Sequence, residues 1–251
     1  SINIDAQELE EGDKIAVHRF QLPKHQSGIL DQALAFTKFF LSVLKNTKSQ
    51  KYDIVLSTSG RMFTATLGAL IAKRNNAKLY LDIRDLFIDT IKDVLRKSPT
   101  KIFIPALLFL EKWTFMSANR INVVSGGFLP YLNKFSLKCE VSVYTNGIDQ
   151  SFITTNFKKN TTIMNRVILY AGNIGHGQGL DKIIPKAVDT LSKNFSFLVV
   201  GDGSRKKELK KKLSSNFNSN IELFNPMSRT ELMSFYKEAD ILFLHLNNYN
   251  A

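Results

Sequence analysis

The sequence predicts an α/β protein built from two successive doubly wound units with parallel sheets. Short apolar runs without polar alternation recur between helical stretches, as strands covered on both faces require. Glycine-rich or hydroxylated turns follow several of these runs, and a polar stretch near the middle interrupts the alternation before it restarts. The 251 residues are enough for one large domain or two modest ones.

After a polar opening, Leu30, Ala33, Leu34, Thr37, Leu41 and Leu44 fall on one helical stripe, widened by Phe36, Phe39, Phe40 and Val43. That pattern predicts a well-buried helix. Asp53 to Thr58 reads as a short strand ending in small hydroxylated residues, followed by a helix from Met62 to Arg74. The alternation continues with strand Leu79 to Ile83, a helical region containing Leu107 to Ala118, strand Ile121 to Ser125, a helix around Phe128 to Phe135, and strand Glu140 to Thr145. Asp149 to Thr162, rich in Thr, Asn and Lys, reads as a connection. The expected division is an N-terminal domain at 1–150, a linker at 151–163 and a C-terminal domain at 164–251. The second series runs through strand Arg166 to Ala171, the turn from Gly172 to Gly179, helix Leu180 to Leu191, strand Phe195 to Val200 and the turn Gly201-Asp-Gly-Ser204. It ends with a basic helix from Arg205, strand Ile221 to Phe224, a helix opened by the capping box Ser228-Arg-Thr-Glu231, and strand Ile241 to Leu246.

Thirty-four basic against 22 acidic side chains leave a charge of +12. The excess lies between Lys51 and Val200, where 20 basic residues face 10 acidic ones. Such a surface meets nucleic acid, anionic membrane or phosphorylated small molecules, and charge alone does not choose among them. The densest run, Arg205 to Lys212, reads as a solvated cationic helix face. No aromatic residue interrupts it, so it lacks the stacking platform of a single-strand binder. The single Cys139 forms no internal disulfide and fits a reducing cytosolic compartment as a half-buried strand thiol. His18, His25, His176 and His245 show no metal spacing. No apolar run reaches the roughly 20 residues of a membrane span. Lys92, Arg96, Lys97 and Lys101, leading into Ile102 to Leu110, combine charge with apolar side chains; this reads either as a lipid-surface segment or as a core helix beginning near Pro105.

Ligands of doubly wound folds lie at the carboxyl ends of the strands. There Gly172, Gly175, Gly177 and Gly179 let a ligand approach the backbone, ahead of a helix whose amide dipole points at the turn, as a phosphate site requires. The alternative is a glycine-rich turn that only closes a β-α connection. Neither G-x-x-x-x-G-K-[ST] nor G-x-G-x-x-G is matched. Ser204 is a natural N-cap for the basic helix. In the first unit Asp82-Ile-Arg84-Asp85 follows a strand, either to bind substrate or as an Arg-Asp ion pair holding the loop.

With these residues in place, the chain resembles glycosyltransferases of family 4, the GT-B group with two Rossmann-like domains facing a cleft. The resemblance rests on Tyr52-Asp-Ile-Val55, Leu81-Asp-Ile-Arg-Asp-Leu-Phe87, Leu110-Glu-Lys-Trp113 with Ala118-Asn-Arg120, Val123-Val-Ser125 and Thr145-Asn-Gly-Ile-Asp149. It continues through Leu169-Tyr-Ala-Gly-Asn-Ile-Gly175 with Gln178-Gly-Leu180, Val199-Val-Gly-Asp-Gly203 and Glu238-Ala-Asp-Ile-Leu242. The Arg-Asp and Gly-Asn-Ile-Gly variants are most similar to amino-sugar transferases of bacterial surface polysaccharide assembly.

The resemblance implies a hexosyl or N-acetylhexosaminyl transferase acting with retention, without metal or other cofactor, on a UDP-linked donor and a lipid-linked or polysaccharide acceptor of lipopolysaccharide, O-antigen or capsule synthesis. It implies a cytoplasmic protein, peripheral on the inner face of the plasma membrane, with no nucleic-acid partner. Donor binding would fall to Gly172, Asn173, Gly175, Gln178, Gly179, Gly201, Asp202, Gly203 and, beside the base, Asn225. Asp82, Arg84 and Asp85 would line the acceptor side near the transferred sugar, and Asn146 and Gly147 would begin the interdomain hinge. Asn173 and Gln178 stand where many members carry an arginine and a lysine against the diphosphate, and Arg84 stands where a histidine is common. The family's opening strand with its glycine-rich loop is expected before Ser1 and its donor-gripping glutamates after Ala251, so the 251 residues alone are expected to turn over little substrate. A nucleotide-sugar epimerase of the same fold, or a non-catalytic basic module for anionic membrane or nucleic acid, are the alternatives.

Overall fold

The computed structural model describes residues 9–11, 14–22, 29–59, 62–86, 102–157, 166–191, 194–214 and 220–247. The chain folds as two compact units, Ser1–Asn146 and Gly147–Asn250.

The first unit opens with an antiparallel pair, β1 (Leu9–Glu11) and β2 (Ala16–His18), within what reads in sequence as a polar opening. Helix α1 (Ile29–Asn46) corrects the expected stripe. Leu34 and Leu41 are 67% and 59% exposed, whereas Ala35 is buried and Phe36 packs against Phe39, Phe40 and Phe63. The aromatic side of the helix wins because rings bury more apolar area than leucines do. Four parallel strands follow in chain order, β3 (Ile54–Ser59), β4 (Lys78–Ile83), β5 (Arg120–Val123) and β6 (Glu140–Val143). Between them lie α2 (Met62–Asn75), α3 (Ile104–Met116) and α4 (Leu129–Leu132), the last flanked by 3-10 turns. Alternate residues Leu79, Leu81 and Ile83, with Ile121 and Val123, pack against Ala65, Ala69, Ala72, Phe115 and Leu132. Each buried leucine or isoleucine contributes about 1.5–3 kcal/mol. On the opposite sheet face Ile54 and Leu56 are 67% and 63% exposed, so among the described residues the helices cover one face of this sheet rather than both.

The second unit contains α5 (Gln150–Thr154), β7 (Arg166–Ala171), α6 (Leu180–Thr190), β8 (Phe195–Val200), α7 (Lys206–Ser214), β9 (Ile221–Phe224), α8 (Arg229–Glu238) and β10 (Ile241–Leu242). Its sheet order is β10-β7-β8-β9. The first strand therefore lies between the second and the fourth, and the chain reverses direction beside β7, the switch point where such folds bind ligands. Two apolar clusters, one holding Ile168, Tyr170, Phe197 and Val199 and the other Leu169, Leu198 and Val200, cover both faces as expected. The start of the expected linker is structured: Phe152 of α5 packs edge-to-face on Tyr236 of α8, while 158–165 lie outside the described residues. Strand β10 is shorter than expected, ending at Leu242.

One clamp recurs in both units. The backbone N–H of Asn119 donates to the Leu79 carbonyl while Asn119 Oδ1 accepts from Leu79 N–H. Asp240 does the same with Val167. A short Asx side chain just before a strand thus fixes that strand's register against its neighbour, which explains the Ala-Asn-Arg and Ala-Asp-Ile segments in physical terms.

Candidate functional site

Each unit gathers its polar side chains at the carboxyl ends of its strands. In the first, Asp82 at the end of β4 is 9% exposed and both its oxygens are occupied. Asn122 Nδ2 donates to Oδ1 at 2.7 Å, and Thr58 Oγ1 and Arg84 Nε donate to Oδ2 at 2.8 and 2.9 Å. Burial raises the carboxyl's pKa, but the bonds from Asn122, Thr58 and Arg84, with the guanidinium charge, outweigh it and hold the value below the ordinary one. Arg84 Nη1 then donates to Asn146 Oδ1 at 2.7 Å. Asn122 closes the cluster by accepting from Tyr144 N–H. Asp82 is thus an anchor that aims Arg84, whose side chain is half exposed. Asp85 is exposed and stands beyond the cluster; Asn146 ends the first unit, and Gly147 begins the second. Thr58 and Asn122 were not candidates in sequence, since lone polar residues inside apolar runs carry no signal until β3, β4 and β5 are paired.

In the second unit the turn after β7 folds tightly onto the turn after β8. Gly172 N–H donates to the Val200 carbonyl, Ile174 N–H to Asp202 and Arg205 N–H back to Ile174. Gly201 has φ +152 and a Cβ there would stand 1.9 Å from the Gly172 carbonyl oxygen; Gly203 has φ +154 and its Cβ would meet Ile174 at 2.5 Å. Both positions therefore demand glycine for backbone reasons. Asn173 Nδ2 and Gly175 N–H both donate to Gln178 Oε1, at 3.1 and 3.2 Å. The Gly172 and Gly175 N–H groups are thus both engaged within the fold. What the turn offers lies further on, where Gly179 (φ +57) precedes α6 without a side-chain cap. The segment after β10 straps the same turn: Asn247 N–H donates to Gly177, Asn247 Nδ2 to His176, and His245 Nδ1 bonds the Gln178 carbonyl.

The basic helix differs from a uniformly solvated cationic face. It starts at Lys206, past Ser204, and its cations divide by task. Lys206 is half-buried and its ammonium donates to the carbonyls of Gly201 (2.7 Å) and Phe224 (3.2 Å) and to Asn225 Oδ1 (2.8 Å). Arg205 pairs with Glu208 and lies 3.9 Å from Asp181, which is 3% exposed. Lys207, Lys210 and Lys211 remain exposed. Lys206 thus puts a positive charge beside the Gly201–Gly203 turn, where Asn173 and Gln178 put none. No group of three or more His, Cys, Asp and Glu able to hold a metal occurs among the described residues.

Residues 152–248 match the family model described as Glycosyl transferases group 1, nearly the whole of the second unit. Curated protein sequences give no match. Among solved structures, a sucrose-phosphate synthase from Thermosynechococcus elongatus matches at TM-score 0.65 and 12% identity over 95% of this chain and 62% of its own. WaaG, a glycosyltransferase involved in lipopolysaccharide biosynthesis, matches at TM-score 0.61 and 15% identity over 92% and 63%. Anabaena HepE in complex with UDP-glucose matches at 0.57 and 15% over 88% and 59%. The chain thus spans about three fifths of the length of these structures. The α/β fold with parallel sheets is the one they share, and the family match falls within its second unit.

Proposed function

We propose that this protein transfers a hexosyl or N-acetylhexosaminyl group, with retention, from a UDP-linked donor held by the second unit to a lipid-linked or polysaccharide acceptor at the first. The pathway would be assembly of a bacterial surface glycan such as lipopolysaccharide, O-antigen or capsule. The observation that carries the reading is the coincidence of the family match at 152–248 with the unit whose sheet reverses beside β7. HepE, which matches this chain, binds UDP-glucose.

In the reaction the bond from the sugar's anomeric carbon to the diphosphate breaks, and the departing UDP takes the electron pair. The acceptor hydroxyl forms the new glycosidic bond, and its proton passes to the departing diphosphate oxygen. The catalytic need is to stabilise charge growing on the diphosphate and to hold the acceptor hydroxyl on the face of the sugar that the diphosphate leaves, as retention requires. The uncapped start of α6 and the Lys206 ammonium are the groups of the second unit suited to the first task. In the first unit Arg84, aimed by Asp82, is suited to an anionic or hydroxylated acceptor group, with Asp85 beside it. This chemistry calls on no metal.

A membrane-bound acceptor fits the turn before α3 and the helix's N-terminal half. There Ile102, Phe103 and Phe109 are 77%, 61% and 72% exposed, while Glu111, Thr114 and Phe115 in the other half are buried. The expected core helix is therefore a core helix in its second half only. Lys92, Arg96, Lys97 and Lys101, just before it in sequence, lie outside the described residues and supply the cationic partner an anionic leaflet would attract. These residues support a reading of the protein as peripheral on the cytoplasmic face of the membrane; no helix among the described residues is long and apolar enough to cross one.

Ligand-detected NMR with UDP tests the donor reading, because it registers weak binding. Saturation of the UDP signals, reversed by unlabelled UDP-sugar, is expected; no transfer to UDP at millimolar concentration would contradict the reading.

A further inference from the structure

Asn225 follows β9, two strands from the β7 turn. At roughly 4.8 Å per strand that is about 10 Å across the sheet, comparable to the span from a diphosphate to its base. An asparagine amide can show a base either an acceptor oxygen or a donor NH2, and here the choice is not free. The atom of Asn225 that meets Lys206 at 2.8 Å must be the oxygen, because an ammonium only donates. Lys206 is itself fixed by two further acceptors, the Gly201 and Phe224 carbonyls, so its three N–H groups are all assigned. Asn225 is exposed, and its NH2 is the end left to solvent.

We propose that Lys206 sets nucleobase choice by holding Asn225 with its NH2 outward. The turn then accepts a base through a carbonyl at its C4 edge, as in uracil, and disfavours cytosine, whose amino group would oppose the Asn225 amino group donor to donor. Lys206 is a positioning residue here, and Asn225 is the one that touches the base. This rests on the nucleotide-sugar reading above and goes beyond it in naming what selects the nucleotide.

The test measures UDP and CDP affinities by ligand-detected NMR on the chain and three variants, with the UDP:CDP ratio as readout, since loss of stability alone lowers both affinities and leaves their ratio unmoved. One well-placed neutral hydrogen bond, against a donor–donor mismatch, gives a preference for UDP of roughly five- to tenfold. Lys206→Met should bring the ratio near one, and Lys206→Arg, which keeps a donor against Asn225, should restore the preference. Asn225→Asp, which offers only acceptors beside Lys206, should turn the preference toward CDP. Equal binding of UDP and CDP by the unaltered chain, or a ratio unchanged in Lys206→Met and Asn225→Asp, overturns the role of Lys206 while leaving nucleotide binding intact. Failure to bind either nucleotide overturns the donor-site reading itself, and this inference with it.

Discussion

At Asp82, burial and hydrogen bonding pull in opposite directions, and the bonds from Asn122, Thr58 and Arg84 prevail. A carboxylate whose folded pKa lies below its unfolded one contributes stability that is fully present above the unfolded value of 3.8 and is lost as pH falls through the folded value. Asp82→Asn should therefore lose less melting temperature than the unaltered chain between about pH 5 and pH 2, measured by circular dichroism; an identical pH dependence would contradict the anchor role. Gly201 gives a different kind of residue-level prediction. A methyl group there meets the Gly172 carbonyl oxygen in a backbone conformation that side chains rarely adopt, so Gly201→Ala should cost about 1–3 kcal/mol or more of stability in urea unfolding. Gly147, with open space around its Cβ position, should tolerate alanine with little change.

Helix α6 carries Pro185 in its interior, which removes the N–H that would bond the Asp181 carbonyl and costs about 3 kcal/mol in an isolated helix. Lys212 of α7 supplies the missing donor, its Nζ lying 3.0 Å from the Asp181 carbonyl oxygen and 3.5 Å from the Asp181 carboxylate. Lys212→Met should destabilise the second unit by about 1–3 kcal/mol, as read by urea unfolding, and a change within a few tenths would show that the repair is made elsewhere. Nothing in the sequence links a proline to a lysine 27 positions later, because the pairing exists only once β8 has brought α6 and α7 side by side. The strands of the two parallel sheets, by contrast, were legible: each expected strand formed within one or two residues except Ile241 to Leu246, whereas β1 and β2 carried no apolar signal in the polar opening. Leu34 and Leu41 misled because periodicity marks two candidate stripes on α1, and only packing shows that the phenylalanine stripe is inward. The candidate site was legible as turns, which composition reveals, and not as bonds. The spent amides of Gly172 and Gly175, the Asn173–Gln178 pair and the Lys206–Asn225 contact all depend on which strands lie together.

For the whole molecule, the two units divide the proposed work. The apolar face of α3 with its basic approach should bind vesicles containing anionic lipid in flotation at low salt, release at high salt, and weaken when Phe103 and Phe109 are both changed to serine. Absence of flotation at low salt would remove the membrane from the account. The second unit carries the central claim, that the strand ends around β7, β8 and β9 hold a nucleotide diphosphate. Hydrogen exchange with and without UDP tests it most directly. Slowed exchange is expected, confined to the Gly172–Asp181 turn, the Gly201–Lys206 turn and the residues around Asn225. Uniform rates, or protection confined to the first unit, would contradict it.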